Sequence, residues 1–251
     1  PETWRVKEGQ ALVGGAPDES LLSAAAGMLS RLDATDFPQE TDLAAMGLDK
    51  PRLKVEIALT GDRKLELWVG AELSGGVFAS QPGQRVWQVN KSSVQSLLQD
   101  PVKWRDKTLA NVPAADVVRL EIRHGATRLA FERVDDKIWK STGPQAVANL
   151  DQGKVQILAS AFGNLRAESI VTGTTPGQTG LSAPTGVLTI TSKDGKKTTL
   201  TVGAKNKQQY YVKISDQPDV FAVNAFYVDR FLKTPADLTA APAPAALGHH
   251  P

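Results

Sequence analysis

Period-two alternation dominates the chain and predicts a largely β protein. Leu53, Val55, Ile57 and Leu59 are separated by Lys54, Glu56 and Ala58, which predicts a strand with one buried face. After a turn at Gly61-Asp62 the pattern returns in Leu65, Leu67 and Val69. Short strands are predicted over 77–80 and 85–89, parted by the turn signal Gln81-Pro82-Gly83. Asn90 then stands as the N-cap of a helix carrying Val94, Leu97 and Leu98, with Pro101 after it. Upstream the period changes. Leu21, Leu22, Ala25, Met28, Leu29 and Leu32 fall on one helical stripe, behind the helix start Pro17-Asp18-Glu19-Ser20.

The same order of patterns returns. A hairpin is predicted over 117–134, turning at His124-Gly125-Ala126 and continuing to Ile138-Trp139. A helix begins at Asp151 and carries Val155, Leu158, Ala159, Phe162 and Leu165. A hairpin (187–192 and 198–202), strands over 209–214 and 220–223, and a helix capped by Asn224 with Val228, Phe231 and Leu232 complete the second pass. Leu22/Val155, Leu29/Phe162, Leu32/Leu165, Leu48/Leu181, Pro51/Pro184 and Gly70/Gly203 all lie 133 residues apart. Val89/Val223, Asn90/Asn224, Leu97/Phe231 and Pro101/Pro235 lie 134 apart. Each copy centres on Gly-Leu-x-x-Pro, a hairpin and Val-Gly, which identifies two units of one fold. The expectation is an α+β chain of two tandem repeats, each a mostly antiparallel sheet with helices on one face. The first unit spans 1–112, the second 113–238, and an Ala/Pro-rich tail runs over 239–251. Trp139 matches Trp4, so the counterpart of hairpin 117–134 is expected ahead of residue 1.

Composition narrows the function classes. The 29 basic and 27 acidic residues leave a formal charge of +2, which does not suggest a dedicated nucleic-acid or membrane-surface role. No cysteine is present, so disulfides, thiolate nucleophiles and cysteine zinc sites are excluded. No stretch approaches the roughly 18–20 apolar residues of a membrane helix. No leader pattern is visible, and the chain opens at Pro1, so an anchor or signal ahead of it stays open.

No residue pattern points to catalysis, a cofactor or a metal. His124 stands alone at a turn, and His249 and His250 lie in the tail. Asp33/Asp36 and Asp135-Asp136 sit at element ends, where Asp bonds to backbone. The loop 173–180 is Gly-rich but lacks the Lys-Ser/Thr of a phosphate-binding loop and reads as a linker. Trp87, Trp4 and Trp139 fall on apolar faces and are expected in the core. Trp68 lies between Leu67 and Val69, opposite the apolar face, and its repeat partner is Thr201. An aromatic there is either covered by another element or open to a partner, so Trp68 is the first interface candidate and Trp104 the second.

The order of these motifs resembles the bacterial "domain of unknown function 4340" family. The elements that carry it are the Trp before a helix, Gly-Leu-x-x-Pro, the hairpin ending in Val-Gly, the aromatic strands Val77-Phe78 and Tyr210-Tyr211, and the closing helix. Trp104-Arg105-Asp106-Lys107 resembles the family's Leu-Arg-Asp-Lys segment, with Trp in place of Leu. The resemblance implies a bacterial envelope protein with an N-terminal membrane anchor, some members being encoded beside ABC transporters of the gliding-motility type. It supplies no catalytic residues. The expected function is therefore a non-enzymatic, extracytoplasmic interaction or scaffold subunit of a membrane-associated complex, with membrane-protein partners and no nucleic acid. The alternative is a small-molecule or glycan site, either between the repeats or at loop 173–180. A hydrolase would need two titratable groups brought together by the fold.

Overall fold

The computed structural model describes residues 15–39, 42–58, 61 and 63–241. Trp4, Asp62, His249 and His250 lie outside the described residues. The chain divides into two compact units, Pro1–Asp106 and Lys107–Pro251. The boundary falls six residues before the expected 112/113. The segment after Lys107 belongs to the second unit because its backbone is used there. Lys107 O accepts from Ala167 N at 2.8 Å, Leu109 N donates to Leu165 O at 2.8 Å, and Leu109 and Ala110 are buried in that unit's core.

In the first unit, α1 (Glu19–Leu29) is capped by Asp18, whose carboxylate accepts from Ser20 N and Leu21 N, both at 3.2 Å. Five strands follow: β1 (Ala34–Asp36), β2 (Leu53–Ala58), β3 (Lys64–Leu73), β4 (Gly76–Ser80) and β5 (Trp87–Asn90). They form one antiparallel sheet in the order β1-β5-β4-β3-β2. Asn90 caps α2 (Lys91–Gln95), which runs into a 3₁₀ turn at Ser96–Leu98. One face of the sheet buries Leu67, Val69, Val77, Ala79 and Val89, with Val94 from α2. The other face carries a smaller cluster, Met46, Leu48 and Val86.

The second unit repeats this plan. Its strands are β6 (Val117–His124), β7 (Thr127–Asp135), β8 (Ile138–Ser141), β9 (Ser169–Val171), β10 (Gly186–Ser192), β11 (Lys197–Asn206), β12 (Gln209–Ile214) and β13 (Val220–Asn224). The sheet order is β8-β7-β6-β10-β11-β12-β13-β9. Its helices are α3 (Gln152–Gly163), capped by Asp151, and α4 (Ala225–Val228), capped by Asn224. In the last five strands of that order the pairings among β2, β3, β4 and β5 recur to the residue, while the outer strand differs, β1 shifting register on β5 where β9 pairs regularly with β13. Leu53↔Val69 becomes Gly186↔Val202, and Trp68↔Ser80 becomes Thr201↔Lys213. Even the bulge recurs, between Val69 and Glu72 and between Val202 and Lys205.

That bulge explains the Gly-Leu-x-x-Pro and Val-Gly motifs. Ala71 N donates to Met46 O at 2.7 Å, and Ala204 N to Thr179 O at 2.8 Å. The turn lies so close that a Cβ on Gly70 or Gly203 would overlap those same carbonyl oxygens. Gly47 and Gly180 hold φ of 65° and 69°, a region that glycine enters without steric cost. The motifs are the clamp that ties each preceding turn to the sheet. Loop 173–180 is part of this clamp and not a linker. Thr179 is fully buried, and its hydroxyl donates to Thr175 O or Pro176 O, each at 3.2 Å.

The first sheet has no described counterpart of β6, β7 and β8. The second unit's core is correspondingly larger, with Phe131, Trp139, Phe162, Phe221 and Phe231 all closed to solvent.

Candidate interaction surfaces

Trp68 is half-buried. Its ring packs against the Met46, Leu48 and Val86 cluster, its Nε1 donates to Glu66 at 3.2 Å, and Lys54 Nζ lies 4.8 Å from the ring centroid. The face opposite the main core is therefore covered in part by the clamp turn. Trp104 closes its own unit. Its carbonyl accepts from Asp18 N at 2.7 Å, as Leu238 O accepts from Asp151 N at 2.9 Å. Its repeat partner, Leu238, is 1% exposed. Both tryptophans are half-buried, Trp68 held through its ring and Trp104 through its backbone carbonyl. Trp87 is half-buried against the core and Trp139 is 2% exposed, as their strand faces require.

The acidic and histidine candidates serve the backbone. His124 Nδ1 lies 3.0 Å from Thr185 O. The Asp36 carboxylate accepts from Phe37 N at 2.8 Å, and that of Asp135 from Asp136 N at 2.6 Å. Among the described residues no group of three His, Cys, Asp or Glu is placed to hold a metal, and no helix is long and apolar enough to cross a membrane. Several of the shifted surface groups belong to ion pairs. The Lys91 ammonium and Arg52 guanidinium hold the Glu72 carboxyl below its ordinary value, and Asp216 raises Lys196. Arg133 is lowered by burial as it donates to Val117 O and Ala114 O and stacks on Trp139.

The surface that sequence reading passed over lies on α4. With Ala225 and Val228 turned inward, the intervening Phe226 and Tyr227 face out, 62% and 49% exposed. Their rings meet edge to face at 5.5 Å, and the Arg230 guanidinium lies 4.5 Å and 5.9 Å from the two centroids. Beside them runs a groove of about 460 Å³ lined by Ala161, Asn164, Arg166, Glu168, Tyr227 and Arg230. The Glu168 carboxylate is fixed by Gln209 and by Asn224 Nδ2 at 3.0 Å. In the first unit the matching positions are Ser92, Ser93 and Ser96. That contrast was available in the repeat alignment. Two aromatics in one copy stand where the other has two serines, so the fold itself does not require them.

A second open surface belongs to the first unit. Leu29, Leu32, Ile57, Leu65, Leu67 and Trp87 line a groove of about 210 Å³, and Leu65 is exposed.

A family model described as "Domain of unknown function (DUF4340)" matches residues 16–184 and again residues 177–241. No curated protein and no solved structure matches the chain.

Proposed function

The chain belongs to the family described as Domain of unknown function (DUF4340), and from that premise we propose that it is a non-enzymatic, extracytoplasmic interaction subunit of a bacterial membrane-associated complex. The observation that carries the reading is the exposed trio Phe226, Tyr227 and Arg230, set beside a groove and replaced by serines in the duplicate. Large aromatics and arginine are the residue types that concentrate binding energy at protein interfaces. Their exposure costs solubility, and the first unit shows that the same helix forms without them. The resemblance in motif order supports the envelope setting and the link to a transport complex.

The test transplants the first unit's residues. Wild type and the double variant Phe226→Ser/Tyr227→Ser are used as bait on source membranes in mild detergent. The expected result is a stoichiometric membrane protein with wild type, held roughly 30-fold more weakly by the variant, which keeps its circular dichroism. Equal capture by both baits, or a bait that comes down alone, overturns the reading. Fractionation of source cells tests the compartment, and recovery in the cytosol contradicts it.

A further inference from the structure

The outer face of β6 and β7 carries a charge pattern that the hairpin itself does not balance. Across the pair, Arg119 faces Glu132, Glu121 faces Ala130, and Arg123 faces Arg128. The first pairing is matched: Arg119 donates to Glu132 and, at 2.7 Å, to Glu121. The last sets like charges directly opposite, with Cβ atoms about 4.5–5.5 Å apart, an arrangement that destabilises a sheet. On the other side of β6 the same face continues as Thr191, Thr189 and Val187, none of them charged. The Glu121 carboxylate, two residues along, is already held by Arg119. The Arg123 guanidinium makes no hydrogen bond or ion pair among the described residues.

The two arginines open onto a pocket. Arg119, Glu121, Arg123, Arg128, Thr142 and Gly143 are among the residues that line about 300 Å³ of space. The loop that walls it is fixed. Thr142 N and Gly143 N both donate to Ala130 O, at 2.9 and 3.2 Å, and a Cβ on Gly143 would stand 2.5 Å from Ala130 N. Gln145 ties the same loop to the turn, accepting from Arg128 N at 2.7 Å and donating to Ala126 O at 3.3 Å. Arg128 is aimed by its own turn. Its Nη1 donates to Gly125 O and Thr127 O at 2.6 and 2.7 Å, which leaves Nε and Nη2 without a hydrogen bond among the described residues. Guanidinium forks match the spacing of phosphate oxygens and bind them in pairs. We infer that this pocket binds the doubly charged phosphate group of a phosphate monoester, whose oxygens bridge Arg123 and Arg128. Such a group carries close to two negative charges at neutral pH and neutralises both cations at once, where a carboxylate leaves one over. The site lies on residues other than those of α4 and does not rest on the partner reading above.

Titration calorimetry of the full chain with glycerol 3-phosphate tests this. Wild type is expected to take up one equivalent with a Kd on the order of 0.1–1 mM, and acetate at least about tenfold more weakly. Arg123→Gln, which removes no side-chain bond seen in the fold, should weaken the ester at least about tenfold. Lys213→Gln, which removes the same charge from an exposed position of β12, should leave it unchanged. Arg123→Glu sets opposite charges across the hairpin. It should abolish binding while the hydrogen-exchange protection of β6 and β7 holds or rises, which separates lost recognition from lost folding. Phe226→Ser/Tyr227→Ser should bind the ester as wild type, whatever becomes of its capture of a membrane protein. Phosphatidylcholine vesicles doped with phosphatidic acid distinguish the source of the group. Capture that the free ester competes away assigns a lipid headgroup, and ester binding without such capture assigns a soluble metabolite. The inference is overturned if the ester shows no saturable binding, if Arg123→Gln binds it undiminished, or if acetate binds equally well. It is also overturned if Lys213→Gln or the α4 variant loses as much as Arg123→Gln, since the attraction is then diffuse or lies elsewhere.

Discussion

α1 and α3 occupy the same place in the two units, each behind an aspartate cap and ahead of the same clamp. Yet α3 buries Val155, Leu158, Ala159 and Phe162, and α1 buries none of its residues fully. The strands say the same. β10 buries every second residue up to Ile190, whereas β2 leaves its apolar positions half-exposed. Backbone registers match to the bulge, so the difference is not one of topology. It is one of cover. Three more strands lie beside β10, and a core closed on that side accepts Phe where the first unit has Leu. One backbone plan thus works with a full core and with a thinner one, because the clamp and the caps act locally.

Four comparisons break or sharpen this contrast. Each is best followed by hydrogen exchange resolved to each unit, since a two-unit chain need not unfold in one step. The largest effect is expected for Phe162→Ala, about 3–5 kcal/mol lost from the second unit. Leu29→Ala at the equivalent place should cost the first unit well under half as much, because a half-exposed side chain leaves less apolar surface to lose. Equal losses would mean that α1 is as covered as α3. Next come Gly70→Ala and Gly203→Ala. Both put a methyl onto a clamp carbonyl, and both should cost about 3 kcal/mol, each in its own unit. A marked inequality would show that the clamps differ despite their geometry.

The caps reverse the order of the two units. Asp18 is 3% exposed and also accepts from Ser20 Oγ at 2.6 Å, while Asp151 is more open and accepts from Lys154 N at 3.1 Å. Asp18→Ala should cost about 1–2 kcal/mol and Asp151→Ala about 0.5–1 kcal/mol, measured as the change in protection of α1 and α3.

The smallest effect is the pH response of Asp237 in the second unit. The Thr234 amide and hydroxyl lower the Asp237 carboxyl below its ordinary value, and the repeat partner of Asp237 is Lys103. A carboxyl depressed on folding binds its proton more readily in the unfolded chain. Its contribution is therefore complete above the ordinary carboxylate pKa and is lost as pH falls through the folded value. Because Asp237 is exposed, the loss should stay within a few tenths of a kcal/mol. Asp237→Asn should remove it, and an unchanged acid profile in that variant would show that another group is responsible.

Particular residues show where the sequence was sufficient. The alternation around Val55 and Leu188 placed both hairpins, and Asp18, Asn90, Asp151 and Asn224 each cap the helix expected of them. β1 and β9 were not foreseen. Ala34-Thr35-Asp36 has no alternation, and those residues become a strand because β5 offers an unpaired edge. The unit boundary was placed late because Lys107 is drawn in by Ala167, some sixty residues on. Of the surface candidates, Trp68 was singled out by a parity argument that sees one strand at a time, and that argument could not see the Met46 turn across the sheet. Phe226 and Tyr227 escaped because the reading of that helix followed its inward positions Val228, Phe231 and Leu232 and not the residues between its cap and Val228.

By itself, then, the sequence determined the duplication, the α+β class, the caps, the turns and the family. All of these rest on local preferences or on register between two copies of one pattern. Only the tertiary structure decided which strand faces are covered, that the Gly-Leu and Val-Gly motifs form one clamp, and which aromatics reach solvent. Burial is a property of what packs against a residue, and those neighbours come from distant parts of the chain.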